Sequence, residues 1–476
     1  MFFSSLMLVF WIFLGEYMKG NRQRFLFPIL MCWFIASGFF LSVFEDKCLA
    51  SAEENPWRSY CAYLDRSGSH AVSDGNLERS LGLCDVIGLA IDVAPELEAH
   101  RFDIEANEGR ITQTFLRQNP TITASLEDFT GNGSRTTYQS AEWTVSLSQP
   151  LDLAGKRALR QAVARAEKDL AQVLYELEIK DLIKSVKTSF FEILSDQELL
   201  TLAERRRSLA QDFVETAKLR AIAGGGSAVE EVKAALSLST SELEYEQAAR
   251  ELDLSQRRLA ARLGQPGAKV QVRGELEPGD SIPLWQDIEK MIESSPDIQR
   301  AQLTSQARRA TVSREERERI SDLSVSAGLS HTRLSKDTGF MVGFSLPMPV
   351  FDRNQGAILE AQKNLAASHS SERAELLRAH VAVKTAYQDM AITFDRSKRL
   401  KDDVIPRAER GLEASNKAFR LGKLSYLDVL DSQRALFDAR EQYVKALTTY
   451  HSSRADLERH MGRGLGEFSA NKALQE

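Results

Sequence analysis

Helix breakers are missing where their absence matters most. From Lys156 to Ala223 the chain has neither glycine nor proline. At about 1.5 Å per residue such a run makes a helix roughly 100 Å long, a length that excludes an ordinary globular domain. A second breaker-free run spans Ala228 to Leu263. Basic excess is also missing. The net charge is −6, and Lys and Arg are interspersed with Asp and Glu, so nucleic acid is not an expected partner and the charges read as solvated helix faces. Beyond residue 52 there is no apolar run long enough for a membrane helix. Any later entry into a membrane would therefore need strands closed into a barrel, because open strand edges cannot be left in lipid. The seven histidines are scattered without a His-x₃-His pair. With no cysteines beside them they form no metal-ligand set. Nucleophile elbows and Gly-rich dinucleotide turns are absent as well, so no enzyme class and no cofactor is expected. Gly422-Lys423-Leu424-Ser425 lacks the upstream glycine and strand of a phosphate loop.

Cysteine is scarce, with four in the chain. Cys32 lies in an apolar run, Phe25 to Phe44, that follows Lys19, Arg22 and Arg24 and precedes Ala50-Ser51-Ala52. Basic start, apolar centre and small-residue exit describe a secretory signal peptide in residues 1–52, with an N-terminal extension ahead of Met18. The alternative is an uncleaved membrane helix, which the length of the run allows. Cys48 follows Glu45-Asp46-Lys47, which does not resemble a lipoprotein cleavage site. Cys61 and Cys84 would remain after processing, either as a disulfide or as two thiols.

What the chain does have, it has twice. Ala141 to Pro150 alternates in polarity and precedes a very long helical run, and Gly339 to Pro349 repeats the arrangement. Leu263-Gly264 at the end of one copy answers Met461-Gly462 at the end of the other. A period this long is not that of a solenoid. The chain divides into the polar segment 53–80, a first repeat 81–264, a linker 265–282, a second repeat 283–462 and a tail 463–476. A helix from about Leu81 to Leu116 is interrupted by Pro95 and ends before Asn119-Pro120. Strand one alternates Ile122, Ala124 and Leu126 with hydroxyl residues, and strand two does so with Trp143, Val145 and Leu147. In the second copy a helix from Trp285 to Ile320 is interrupted at Pro296. Strands three and four follow, carrying Leu323, Val325, Ala327 and Leu329, then Phe340, Val342, Phe344 and Leu346, with Lys336 to Gly339 in the loop between them. The next helix runs from Ala357 to Leu421 with a kink or break at Pro406, and the last ends at His460. Its Val429, Leu436, Tyr443, Tyr450 and Leu457 recur every seventh residue, with Leu430, Phe437 and Val444 beside them, which predicts coiled-coil packing. Four strands cannot close a pore, so copies of the chain must combine. Trp143, Val145, Phe340, Val342 and Phe344 would face lipid, and serines and threonines would line a lumen.

Three segments resemble the TolC family of outer-membrane efflux proteins. They are Leu147 to Lys156 (LSQPLDLAGK), Pro347 to Gly356 (PMPVFDRNQG) and Leu421 to Asp431 (LGKLSYLDVLD). The second is most similar to the CzcC-like heavy-metal-efflux branch. The resemblance spans residues 82–462. It implies a mainly α fold with transmembrane β and a two-fold internal repeat, each half two strands plus long coiled-coil helices. Three copies would form a twelve-stranded barrel in the outer membrane, embedded in its lipid, and an α-helical barrel in the periplasm. The expected function is passive efflux of heavy-metal cations, with a periplasmic membrane-fusion adaptor and an inner-membrane pump of the resistance-nodulation-division type as partners. A duct for drugs or for type I protein secretion is the alternative within the class, and a periplasmic coiled-coil scaffold the alternative outside it. By the same resemblance, Asp428 and Asp431 would ring the periplasmic aperture, with Glu230 and Glu231 at the matching place in the first copy. Carboxylate rings in a constriction favour cations. Taken alone, these aspartates are equally ordinary carboxylates near a helix N-terminus. Gly224, Gly225, Gly226 and Ser227, and Gly422, Lys423, Leu424 and Ser425, would form the tips that meet the adaptor. Members of the family lock the closed tip with a tyrosine and an arginine, where this chain has Phe419 and Leu424.

Overall fold

The computed structural model describes residues 80–130, 140–222, 228–279, 281–421 and 423–465. These all belong to one unit, Tyr60–Glu476. The expected signal peptide, Cys61, the expected turn Gly224–Ser227, Gly422 and most of the tail lie outside the described residues.

Helices α1 (Leu83–Val93) and α2 (Pro95–Phe115) meet at Ala94, because Pro95 fits the first turn of a helix but cannot continue the one before it. Strands β1 (Thr121–Glu127) and β2 (Glu142–Leu151) follow, then α3 (Lys156–Ile222), 67 residues long, and the shorter α4 (Ala228–Arg262), 35 residues long. Asp152 starts α3: its carboxylate accepts the backbone N–H groups of Ala154, Lys156 and Arg157 at 3.2, 3.0 and 2.8 Å. In the second half, α5 (Trp285–Glu289), a 3₁₀ turn (Ile292–Ser294) and α6 (Pro296–Glu318) replace the single interrupted helix expected there. Strands β3 (Leu323–Thr332) and β4 (Asp337–Ser345) lead into α7 (Gln355–Arg399). A π-helical turn (Leu400–Val404) then connects to α8 (Ile405–Arg420), so the α-helix breaks before Pro406, which sits in the first turn of α8 where its missing N–H is tolerated. Helix α9 (Tyr426–Met461) ends the described fold.

The four strands form one antiparallel sheet in the order β1-β2-β3-β4. Two boundaries differ from expectation. The β3–β4 ladder continues to the pair Thr332↔Asp337, so the turn is Arg333 to Lys336, while Asp337, Thr338 and Gly339 belong to β4, and Lys336 takes a left-handed conformation. Strand β4 stops before Leu346, and Pro347 just beyond has no N–H with which to extend the ladder.

Core residues collect in three clusters. Val86, Ile87, Phe190, Ile193, Leu259 and Val270 pack α1, α3 and α4 against the linker. Ile288, Val383, Met390, Tyr450 and Leu457 pack the second half. Val214, Ala234, Phe419, Tyr426 and Val429 join α3 and α4 to α8 and α9. Heptad residues Val429, Leu436, Tyr450 and Leu457 are buried, whereas Tyr443 is half-buried. Gly264 and Gly462, the matched stops, both hold left-handed φ (75° and 70°), and a Cβ on either would lie 2.6 Å from Val93 or 2.7 Å from Pro296.

Buried charge also ties α3 to α9. Lys187 Nζ donates to Glu458 at 2.5 Å, and Arg454 and the Leu465 N–H reach the same carboxylate at 3.1 Å. Burial opposes ionisation of Glu458, but Lys187 and Arg454 outweigh it and hold the group below its ordinary range. At the next residue, Arg459 bridges Asp181 at 2.7 and 2.9 Å and also pairs with Asp297. His451 stacks on Phe191 at 3.8 Å and its Nε2 meets the Glu277 carbonyl at 3.0 Å, pinning the linker to α9.

Candidate functional site

Two regions carry the features that sequence reasoning singled out. The first is the sheet. Its register aligns Ile122, Leu147, Ala327 and Val342 in one cross-strand row, and Ala124, Val145, Leu329 and Phe340 in the next. Side chains alternate across a strand, so these rows share one face. The opposite face carries Thr121, Ser148, Ser326 and Gly343, then Thr123, Ser146, Gly328 and Met341, then Ser125, Thr144, Ser330 and Gly339, and at the turn end Glu127, Glu142, Thr332 and Asp337. The apolar face is uncovered in the single chain: Ile122 is 73% exposed, Phe344 72% and Phe340 91%. Strands β1 and β4 each have an edge with no partner strand among the described residues. No helix among those residues is long and apolar enough to cross a membrane.

The second region is the end of the long helices. Asp428 and Ser425 form a capping box. The Ser425 N–H and Oγ–H donate to Asp428 Oδ2 at 2.9 and 2.7 Å, and these bonds hold the carboxyl below its usual range. Asp431 is exposed, 3.8 Å from Arg434 one turn on. Glu230 and Glu231 occupy the first turn of α4, half-buried. The Ser425-x-x-Asp428 spacing was the readable signal for the cap. The Leu421 N–H donates to the Lys417 carbonyl at 3.2 Å and the Lys423 N–H to that of Ala418 at 2.9 Å, which closes the end of α8.

One group at this end was missed. Arg220 lies 4.4 Å from the ring centroid of Phe419. Phe419 in turn meets Phe213 and Tyr426, at 6.5 and 6.3 Å between centroids. This cation–π contact and aromatic cluster link α3 to α8 and α9 at the place where sequence reasoning noted only Phe419 and Leu424. No group of three or more His, Cys, Asp or Glu able to hold a metal occurs among the described residues. Cys84 is half-buried in the first turn of α1.

The family model described as "Outer membrane efflux protein" matches this chain twice, over residues 86–265 and 288–463. The chain belongs to the outer membrane efflux protein family. This is a family of channels rather than of enzymes. Among curated relatives, the cobalt-zinc-cadmium resistance protein CzcC of Cupriavidus metallidurans is 29% identical over 368 residues, 77% of this chain and 86% of that one. The nickel-cobalt-cadmium resistance protein NccC of Alcaligenes xylosoxydans xylosoxydans is 24% identical over 311 residues, 64% of this chain and 69% of that one. Of solved structures, the outer membrane protein VceC of Vibrio cholerae superposes with a TM-score of 0.67 at 16% identity, covering 80% of this chain and 96% of VceC. At that identity the likeness speaks for the fold alone. The two matched stretches begin inside α1 and α5 and end at or beside Gly264 and Gly462, so each takes in one pair of strands and one long helical hairpin of this efflux protein.

Proposed function

We propose that this efflux protein is the outer-membrane channel of a tripartite system and passes heavy-metal cations outward without chemistry of its own. The observation that carries the reading is the sheet with one uncovered apolar face, an opposite face mostly of serine, threonine and glycine with acids at its turn end, and open edges on β1 and β4 among the described residues. Three copies joined β4 to β1 would close twelve strands, with the apolar rows toward lipid and the hydroxyl rows toward water. The continuous helices would extend this tube into the periplasm, where the tips around Gly224–Ser227 and Lys423–Ser425 would meet an adaptor. An inner-membrane pump would supply the energy. Metal cations are favoured as cargo because the resistance proteins CzcC and NccC are similar over most of the chain.

In this reading Asp428 and Asp431, tripled by symmetry, form the cation-favouring aperture. Replacing both by Ala should reduce cation preference and raise closed-state conductance in planar bilayers. A D428N/D431N variant controls for lost capping. Conductance and selectivity equal to the unsubstituted channel would refute the aperture. Absence of the protein from outer-membrane fractions would refute the localisation.

A further inference from the structure

The two ends of the sheet differ in charge. At the turn end, one cross-strand row holds Glu127, Glu142, Thr332 and Asp337. At the helix end, most acids are engaged, and Glu316, exposed on α6 three residues before Arg319, makes no ion pair among the described residues. Lys156 holds Glu318 and Asp322 at 3.3 and 3.2 Å. Asp152 is consumed by the amides that start α3, and Asp352 accepts the Asn354 N–H at 2.9 Å. Glu315 accepts from the Asn354 side chain at 2.8 Å and pairs with Arg314. Arg317, Arg319 and Arg353 are left over, and of these Arg319 and Arg353 share a cleft. Both are exposed, and neither guanidinium makes an ion pair among the described residues. They line one surface cleft of about 590 Å³ together with Pro349, Ile358 and Leu359.

This cleft adjoins the membrane-type face. The apolar parity of β4, Phe340, Val342 and Phe344, continues past the strand through Leu346, Met348 and Val350. These last three are 55%, 80% and 56% exposed, and the neighbouring Phe351 is 91% exposed. An apolar ridge that ends at two unpaired arginines is chemically matched to a phospholipid. Acyl chains would lie along the ridge. The guanidinium forks would take the phosphate, bidentately and with full charge. Arginine stems also bridge apolar and polar layers well, with the head at headgroup depth.

We infer that the Arg319–Arg353 cleft is a docking site for the phosphate headgroup of a phospholipid in the leaflet nearest the helices. The inference rests on the sheet being embedded in lipid, as proposed above. Inorganic phosphate shares the headgroup's charge but has no acyl chains, so it should hold poorly.

The test is native mass spectrometry of the full-length protein in detergent, titrated with palmitoyl-oleoyl phosphatidylglycerol in one arm and inorganic phosphate in the other. The unsubstituted protein should retain the lipid, and R319Q/R353Q should retain at least about fivefold less. R319K/R353K, which keeps charge but loses the forks, should fall between. Equal lipid retention by R319Q/R353Q and the unsubstituted protein overturns the site. Equal occupancy by inorganic phosphate overturns the lipid as its ligand. A lower oligomer fraction with an unchanged lipid count would make the cleft an interface between copies and also overturn it. Matching circular dichroism spectra, with the single loop variant R353Q as a second probe, separate headgroup loss from misfolding. The underlying reading fails separately: release of the unsubstituted protein from vesicles by a carbonate wash would sink membrane embedding itself.

Discussion

Replacing Lys187 by Met should strip the buried Glu458 carboxylate of its nearest counter-charge. Both side chains are 7% exposed, and the pair joins α3 to α9 across most of the chain. Breaking a buried pair from one side costs about 3–5 kcal/mol, because the remaining charge has neither partner nor water. Two supports stay in place, Arg454 and the Leu465 N–H, each 3.1 Å from Glu458. The expected loss is therefore near the lower end, about 3 kcal/mol. Removing both charges, as K187M/E458M, should restore stability to within about 1 kcal/mol of the original, since two apolar side chains of similar size need no compensation. Guanidinium denaturation in detergent micelles, followed by circular dichroism, reads both variants. A loss below about 1 kcal/mol for K187M, or a double variant no better than the single, would refute the reasoning. The acid limb offers an independent check. Glu458 is held below its ordinary value of 4.5, so its contribution is complete above that value and is lost as pH falls through the lower folded value. E458M should lack this part of the acid sensitivity.

His451 should give a pH dependence at milder acidity. Burial and then Arg454 push its pKa down to about 4 from an ordinary 6.5, so the unfolded chain binds the extra proton in that window. Stability should fall by about 3 kcal/mol as pH drops from 6.5 to 4, and H451Q should flatten that slope; parallel slopes would contradict it. Gly328→Val should damage the β2–β3 pairing, because a Cβ there lies 2.6 Å from the Val145 carbonyl oxygen and 2.9 Å from Ser146 Cα. Backbone of this kind cannot yield, so the cost should exceed the about 1–3 kcal/mol of ordinary overpacking. Gly339→Val meets nothing within 4 Å and serves as the control, with recovery of folded protein from membrane fractions as the measurement.

Some of the site was legible as local pattern, and some was not. The Ser425-x-x-Asp428 spacing announced a capping box, yet it could not say whether Asp428 also faces a pore, since both roles ask for a carboxylate in the first turn of a helix. Arg220 gave no signal at all. Its partner Phe419 is remote in sequence, and only the convergence of α3 with α8 puts the guanidinium over the ring. The same holds for Arg319 and Arg353, which read as two more charges among many until the engaged acids around them were placed.

By itself the sequence determined periods and lengths. Alternation of period two marked all four strands, the missing glycines and prolines set the span of α3, and the heptads of α9 named the residues that are buried. Such features depend on neighbours a few residues away and on fixed backbone geometry. Tertiary structure alone decided partnership. It paired β2 with β3 across the two halves, set Lys187 against Glu458, and ran the linker past His451. Choices of this kind are made between segments far apart in the chain, where many pairings satisfy the local pattern and only one lets every buried charge and apolar row find its match.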